Sequence, residues 1–175
     1  MNLWKDLEAG EPNKANIVIE IPKGSRNKYE YDKELGIISL DRVLFSSMFY
    51  PTDYGFVPGT FYDDDDPLDA LFISRYPLNP GTVVKGRLIG GFRMEDEKGL
   101  DDKLIFVPLE KIDPYFSNIK TIDDLSKDFK KEIEYFFSRY KDLENKKAEF
   151  KGWLYLDESI EIFNKGKELF RKFRK

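Results

Sequence analysis

The 175-residue chain has a formal net charge of -4, is 41% hydrophobic and 35% charged, and contains neither Cys nor His. Its length and apolar content predict one domain, residues 1–175, around a single core. The acidic balance argues against general affinity for nucleic acid or anionic membrane, and the missing Cys excludes disulfides, thiolate metal sites and Cys nucleophiles. Without His, the usual general base near neutral pH is gone, which leaves carboxylates, Lys, Arg, Tyr, hydroxyls and bound metal to do any chemistry. No apolar run approaches the roughly 20 residues that cross a bilayer, and the opening MNLWKDLEAGEP lacks the regions of a signal peptide. A cytoplasmic protein is expected.

In chain order, Asn16 to Ile21 alternates as a strand, with Ile17, Ile19 and Ile21 on one face and Val18 and Glu20 on the other. After the turn-like PKGSRN, an extended KYEY would place Tyr29 and Tyr31 opposite Lys28 and Glu30. Ile37–Leu40, Ala70–Ser74, Thr82–Phe92 and Lys103–Val107 continue a series of short strands separated by Pro, Gly and Asp turns, which predicts a barrel or sandwich over the first 110 residues. Then the period changes. Phe129, Ile133, Phe136, Phe137 and Tyr140 form a helical stripe with Ser126 as N-cap, and a second helix is expected from about Ser159 to Lys172. Its basic ending, RKFRK, matches the negative end of a helix dipole better than a nucleic-acid tail.

Three constellations could carry chemistry. The stretch YDDDDPLD puts five carboxylates within seven residues, Asp63 to Asp69. At ~4 Å and an effective dielectric of ~20, each like-charge pair costs on the order of 4 kcal/mol, so an ordered cluster calls for a cation. An EF-hand is excluded, because counting from Asp63 places Leu68 where Gly is required and Ser74 where Glu is required. A second acidic group, Glu95, Asp96, Glu97, Asp101 and Asp102, follows the strand Thr82–Phe92. Either segment alone reads as a solvated turn; together, in a chain without His or Cys, they also fit a site for several Mg²⁺ ions. The third group is Lys28, Arg42, Tyr54, Lys103, Tyr140 and Lys141, each individually a surface charge or a core aromatic, and together a set of donors suited to phosphate oxygens.

The motif Asp64–Ala70, DDDPLDA, fits the pattern D-x-D-P-hydrophobic-D-small, and the chain resembles the family I soluble inorganic pyrophosphatases. The resemblance extends in order through IEIPKGSRNKYEYDK (19–33), LDR (40–42), MFYPTDYGFVPGT (48–60), YPLNPG (76–81), EDEKGLDDK (95–103), FSNIKTIDDL (116–125) and FFSRYKDLE (136–144). It implies a mainly β fold, a five-stranded OB-like barrel with two peripheral α-helices, and hydrolysis of inorganic diphosphate to two orthophosphates with several Mg²⁺ ions. By the same resemblance Asp64, Asp69, Asp96 and Asp101 are metal ligands and Asp66 accepts a proton from the attacking water. Lys28, Arg42, Tyr54, Tyr140, Lys103 and Lys141 contact substrate phosphate, Glu20 and Glu30 support the site, and the chain assembles as a homohexamer.

Departures from the family pattern are local. Asp65 stands where Gly is usual and Asp53 where Asn is usual, which raises the question of altered metal preference; Leu100 and Asp102 also differ, and Tyr135 and Arg139 stand where bacterial members carry His. Two rivals come from other classes: an OB-fold binder of single-stranded nucleic acid and a non-catalytic divalent-cation module.

Overall fold

The computed structural model describes residues 1–175. Its strands are β1 (Gly10–Glu11), β2 (Lys14–Ile21), β3 (Asn27–Asp32), β4 (Ile37–Val43), β5 (Asp53–Phe56), β6 (Asp69–Phe72), β7 (Val83–Asp96), β8 (Gly99–Pro108) and β9 (Ala148–Leu154), with helices α1 (Lys127–Arg139) and α2 (Leu156–Phe173). The sheet runs β1-β2-β5-β6-β8-β7-β9, and a further β2–β7 pairing closes β2, β5, β6, β8 and β7 into a ring. This is the five-stranded OB-like barrel expected, with β3 and β4 forming a separate hairpin.

β7 is long enough to serve two partners. Ala15 to Val18 of β2 pair with Val83 to Gly86, and β9 takes the other end from Gly91 to Asp96. Closure needs close backbone approach where β2 crosses β5: a Cβ on Gly55 would lie 1.8 Å from the Val18 carbonyl oxygen, so only glycine fits there. The alternation in β2 holds, but both of its faces are covered. Ile17 and Ile19 pack with Phe72, Phe106 and Phe163, while Val18 packs with Trp4, Tyr31, Phe56 and Phe170.

The helices are placed by their apolar stripes. Ile133, Phe136 and Phe137 of α1, with Tyr140 just past its end, pack against Tyr50, Phe92 and Ile105. Ser126 caps α1 by accepting from the Phe129 N–H at 3.1 Å. The second helix begins three residues before the expected Ser159, at Leu156. Ser159 is buried inside the helix, and Asp157 and Glu158 occupy the first turn, where the helix dipole favours acids. No helix is long and apolar enough to cross a membrane.

Three strands escape the sequence pattern, the shortest being β1, whose two residues are too few to show a period. β5 was hidden in the Pro- and Gly-rich MFYPTDYGFVPGT, and β9 follows a helix, with a register irregularity opposite Arg93/Met94 interrupting its alternation. Both strands flanking EDEKGLDDK are longer than predicted. The segment is therefore a hairpin with only Glu97 and Lys98 between paired Asp96 and Gly99, rather than a loop.

Candidate active site

A cleft of about 490 Å³ opens where β2, β3, β5, β6 and the β7–β8 hairpin meet the end of α1. It is lined by every residue nominated above except Arg42 and Lys141: Glu20, Lys28, Glu30, Tyr54, Asp64, Asp66, Asp69, Asp96, Asp101, Lys103 and Tyr140. The two outside connect to the lining through ion pairs, Lys141 directly and Arg42 by way of Asp41. Arg42 contacts Asp41 at 2.5 Å and Glu144 at 2.8 Å, and Asp41 also meets Lys28 at 3.1 Å. Lys141 lies 3.7 Å from Asp96.

Strand register decides which carboxylates enter. Asp69 of β6 pairs in parallel with Lys103 of β8, so the two side chains project together. Lys103 Nζ contacts Asp69 at 2.8 Å, Asp101 at 2.9 Å and the Tyr54 hydroxyl at 2.8 Å. Asp101 and Lys103, two apart on β8, share a face, and intervening Asp102 points the other way. There it is buried against Arg93 Nε at 2.6 Å and accepts from the Tyr62 hydroxyl at 3.0 Å. Asp102 is thus part of the fold's support rather than of the cleft.

The other acidic segment is a tight turn. Tyr62 N–H donates to the Asp66 carbonyl at 2.9 Å and Asp65 N–H to the Tyr62 carbonyl at 3.1 Å. Asp65 adopts φ +64, a left-handed conformation that Asp tolerates better than most residues. Leu68 anchors the turn in the core. Its N–H donates to Thr60 Oγ1 at 3.0 Å, and its side chain lies where a Cβ on Gly166 of α2 would approach within 2.6 Å. Asp63 leaves the cleft altogether and meets Lys165 of α2 at 2.7 Å. Asp53 also stays out of the cleft lining. Fully buried, it accepts from Lys23 N–H at 2.8 Å, Leu78 N–H at 3.2 Å and Ser74 Oγ–H at 2.5 Å, tying two loops to β5 instead of adding charge to the cleft.

Electrostatics record the crowding. Burial, then Asp69 and Asp101, push the Asp64 carboxyl up to about 6. Burial raises Asp101 despite Lys103 beside it, and burial lifts Glu20 to about 8 although it accepts from the Tyr31 N–H. Lys103 is pulled down by burial, but Asp101 and Asp69 outweigh this and hold it well above its ordinary value. Tyr140 is pushed up to about 12, chiefly by burial, so it enters as a neutral donor.

A divalent cation fits the chemistry of this donor set. All the donors are hard oxygens, and their mutual repulsion is only partly relieved by Lys103. As the side chains stand, no three carboxylates are gathered closely enough to hold an ion.

Sequence reasoning missed Lys33 and Lys98, which also line the cleft. Lys33 lies in the turn after β3, where no periodicity marks it, and only the fold carries it to Asp66.

Comparison with known proteins assigns this architecture. The inorganic pyrophosphatase family model matches residues 17–171. An inorganic pyrophosphatase from Aquifex pyrophilus is 48% identical over 97% of both chains, and one from Sulfolobus acidocaldarius is 52% identical over 81% of this chain and 83% of its own. The solved Helicobacter pylori inorganic pyrophosphatase superposes with a TM-score of 0.92 at 46% identity, covering 95% of this chain and 99% of that one. The chain belongs to the family I inorganic pyrophosphatases.

Proposed function

We propose that the chain, acting as one domain over residues 1–175, hydrolyses inorganic diphosphate to two orthophosphates in a Mg²⁺-dependent reaction. Family membership makes it a hydrolase of diphosphate. The finer reading is carried by one observation: carboxylates Asp64, Asp66, Asp69 and Asp101 share a cleft with Lys28, Lys103, Tyr54 and Tyr140. A highly charged anion and several cations would neutralise each other in such a space.

Asp64, Asp69, Asp96 and Asp101 are the residues that would hold Mg²⁺, which when bound neutralises phosphate charge and acidifies water. Asp66, exposed at the turn and outside the Lys103 network, accepts the proton of the attacking water through its position. Lys28 and Lys103 place positive charge on phosphate oxygens, and Tyr54 and Tyr140 donate neutral hydrogen bonds. Arg42 and Lys141, each already carboxylate-paired, exchange those partners for substrate oxygens and stabilise charge on the departing phosphate. Glu20 and Glu30 order the surrounding cations and water. The same resemblance supports a cytoplasmic homohexamer, for which light scattering is the direct test.

The test of function is phosphate release from diphosphate with and without Mg²⁺, with ATP and tripolyphosphate as alternative substrates. Mg²⁺-dependent release selective for diphosphate is expected. Tight metal binding with no release from any of the three would overturn the reading.

A further inference from the structure

We infer that Lys33 is a positioning residue that holds the Asp66 carboxylate in its working orientation. The inference rests on the reading of Asp66 as proton acceptor. The Lys33 ammonium donates to an Asp66 carboxylate oxygen and, at 3.0 Å, to the Asp65 carbonyl. It also sits 5.3 Å from the ring centroid of Trp4. An ammonium has three donors and no acceptor, so contacts to two acceptors and an aromatic face leave it little freedom.

Trp4 is itself fixed. It is buried, its Nε1–H donates to the Thr60 carbonyl at 2.7 Å, and its ring stacks on Phe61 at 6.3 Å and Phe173 at 5.6 Å. Thr60 is also the residue whose hydroxyl anchors Leu68 at the far end of the acidic turn. The same indole therefore ties down both the start of that turn and the lysine that grips its Asp66. The left-handed Asp65 turns its carbonyl to Lys33, which couples the turn's backbone shape to the carboxylate beside it. Lys33 and Asp66 have side-chain exposures of 35% and 57%, so the pair adds little to stability and its value lies in orientation.

The test compares steady-state phosphate release from diphosphate at saturating Mg²⁺ for wild type, Lys33→Met, Lys33→Arg, Asp66→Asn and the Lys33→Met/Asp66→Asn double variant, with thermal midpoints measured alongside. Losing orientation by a fraction of an ångström predicts about a tenfold fall in kcat for Lys33→Met, with KM within about twofold. The midpoint should be unchanged, Lys33→Arg should recover most of the loss, and Lys33→Met should cost nothing further in the Asp66→Asn background. Wild-type kcat in Lys33→Met, or a raised KM at unchanged kcat, would overturn the inference, the latter by making Lys33 a substrate-binding cation. So would a full additional loss in the double variant. An inactive Asp66→Asn beside a fully active Lys33→Met rejects this inference alone, whereas wild-type turnover in Asp66→Asn rejects the proton-acceptor reading with it.

Discussion

The acidic turn Tyr62–Asp69 and the acidic hairpin Glu95–Asp102 carry similar charge but distribute it by different rules. In the hairpin, strand alternation decides: Asp101 faces Lys103 and the cleft, while Asp102 faces Arg93 and Tyr62 on the opposite side. In the turn there is no such period. A left-handed residue and a buried Leu68 set the directions, sending Asp63 to α2 and leaving Asp64 and Asp66 in the cleft, where Asp69 joins them through the register of β6. A run of carboxylates is therefore a set of separate assignments, and neighbours in sequence can serve fold and function in turn.

The largest effect that would test this division is on turnover. Asp66→Asn keeps the shape and removes the proposed proton acceptor, so kcat should fall about 10²- to 10⁴-fold while the unfolding midpoint stays close to wild type. Asp102→Ala, one strand face away from Asp101, should do the reverse. It leaves Arg93 without its partner and the Tyr62 hydroxyl without its acceptor, costing about 1–3 kcal/mol in a urea titration, with kcat of the folded protein retained. The cost is below that of losing a fully buried pair because Arg93 is 37% exposed. A collapse of kcat in Asp102→Ala would break the alternation argument.

The same contrast separates what local sequence patterning shows from what it hides. β2 and α1 announce themselves because their apolar residues keep a period, β7 and β8 because their apolar runs are bounded by turn residues, and DDDPLDA carries enough fixed positions to single out Asp64, Asp66 and Asp69, which line the cleft. β9 keeps alternate Glu and Lys on its exposed side, but the register irregularity near Gly152 breaks the pattern that would reveal it. Asp102's outward direction depends on where the hairpin turns, and Lys33's reach to Asp66 depends on how the β3–β4 hairpin folds over the barrel. Both are tertiary facts that local patterning does not contain.

A smaller effect concerns pH, in protein stripped of metal. Glu20 is raised to about 8 in the folded chain, principally by burial, against an ordinary carboxylate value when unfolded. The folded state thus binds the proton more tightly. Its stabilisation is complete below about pH 4.5 and is lost as pH rises toward and through 8. Asp64, raised to about 6, adds a loss of the same sign at lower pH. The thermal midpoint of metal-free wild type should fall between pH 5 and 9, and Glu20→Gln should flatten the upper part of that fall. An unchanged slope in Glu20→Gln would place the titrating group elsewhere.

The smallest expected effect falls on the residue that departs from the family pattern within the turn. Asp65 bears its charge outside the cleft lining, and its contribution is a φ of +64 and a carbonyl offered to Lys33. Asp65→Gly relieves left-handed strain but adds unfolded-state entropy, two terms of opposite sign and each on the order of 1 kcal/mol, so stability should stay within about 0.5 kcal/mol. Asp65→Val cannot adopt this φ cheaply and should lose about 1–2 kcal/mol, and its displaced carbonyl would loosen Lys33 and reduce kcat. If the role is conformational, the ratio of Mg²⁺- to Mn²⁺-supported turnover should be the same in wild type and Asp65→Gly. A changed ratio with unchanged stability would mean that the carboxylate reaches the metals after all, and that the turn sorts its charges less cleanly than the hairpin does.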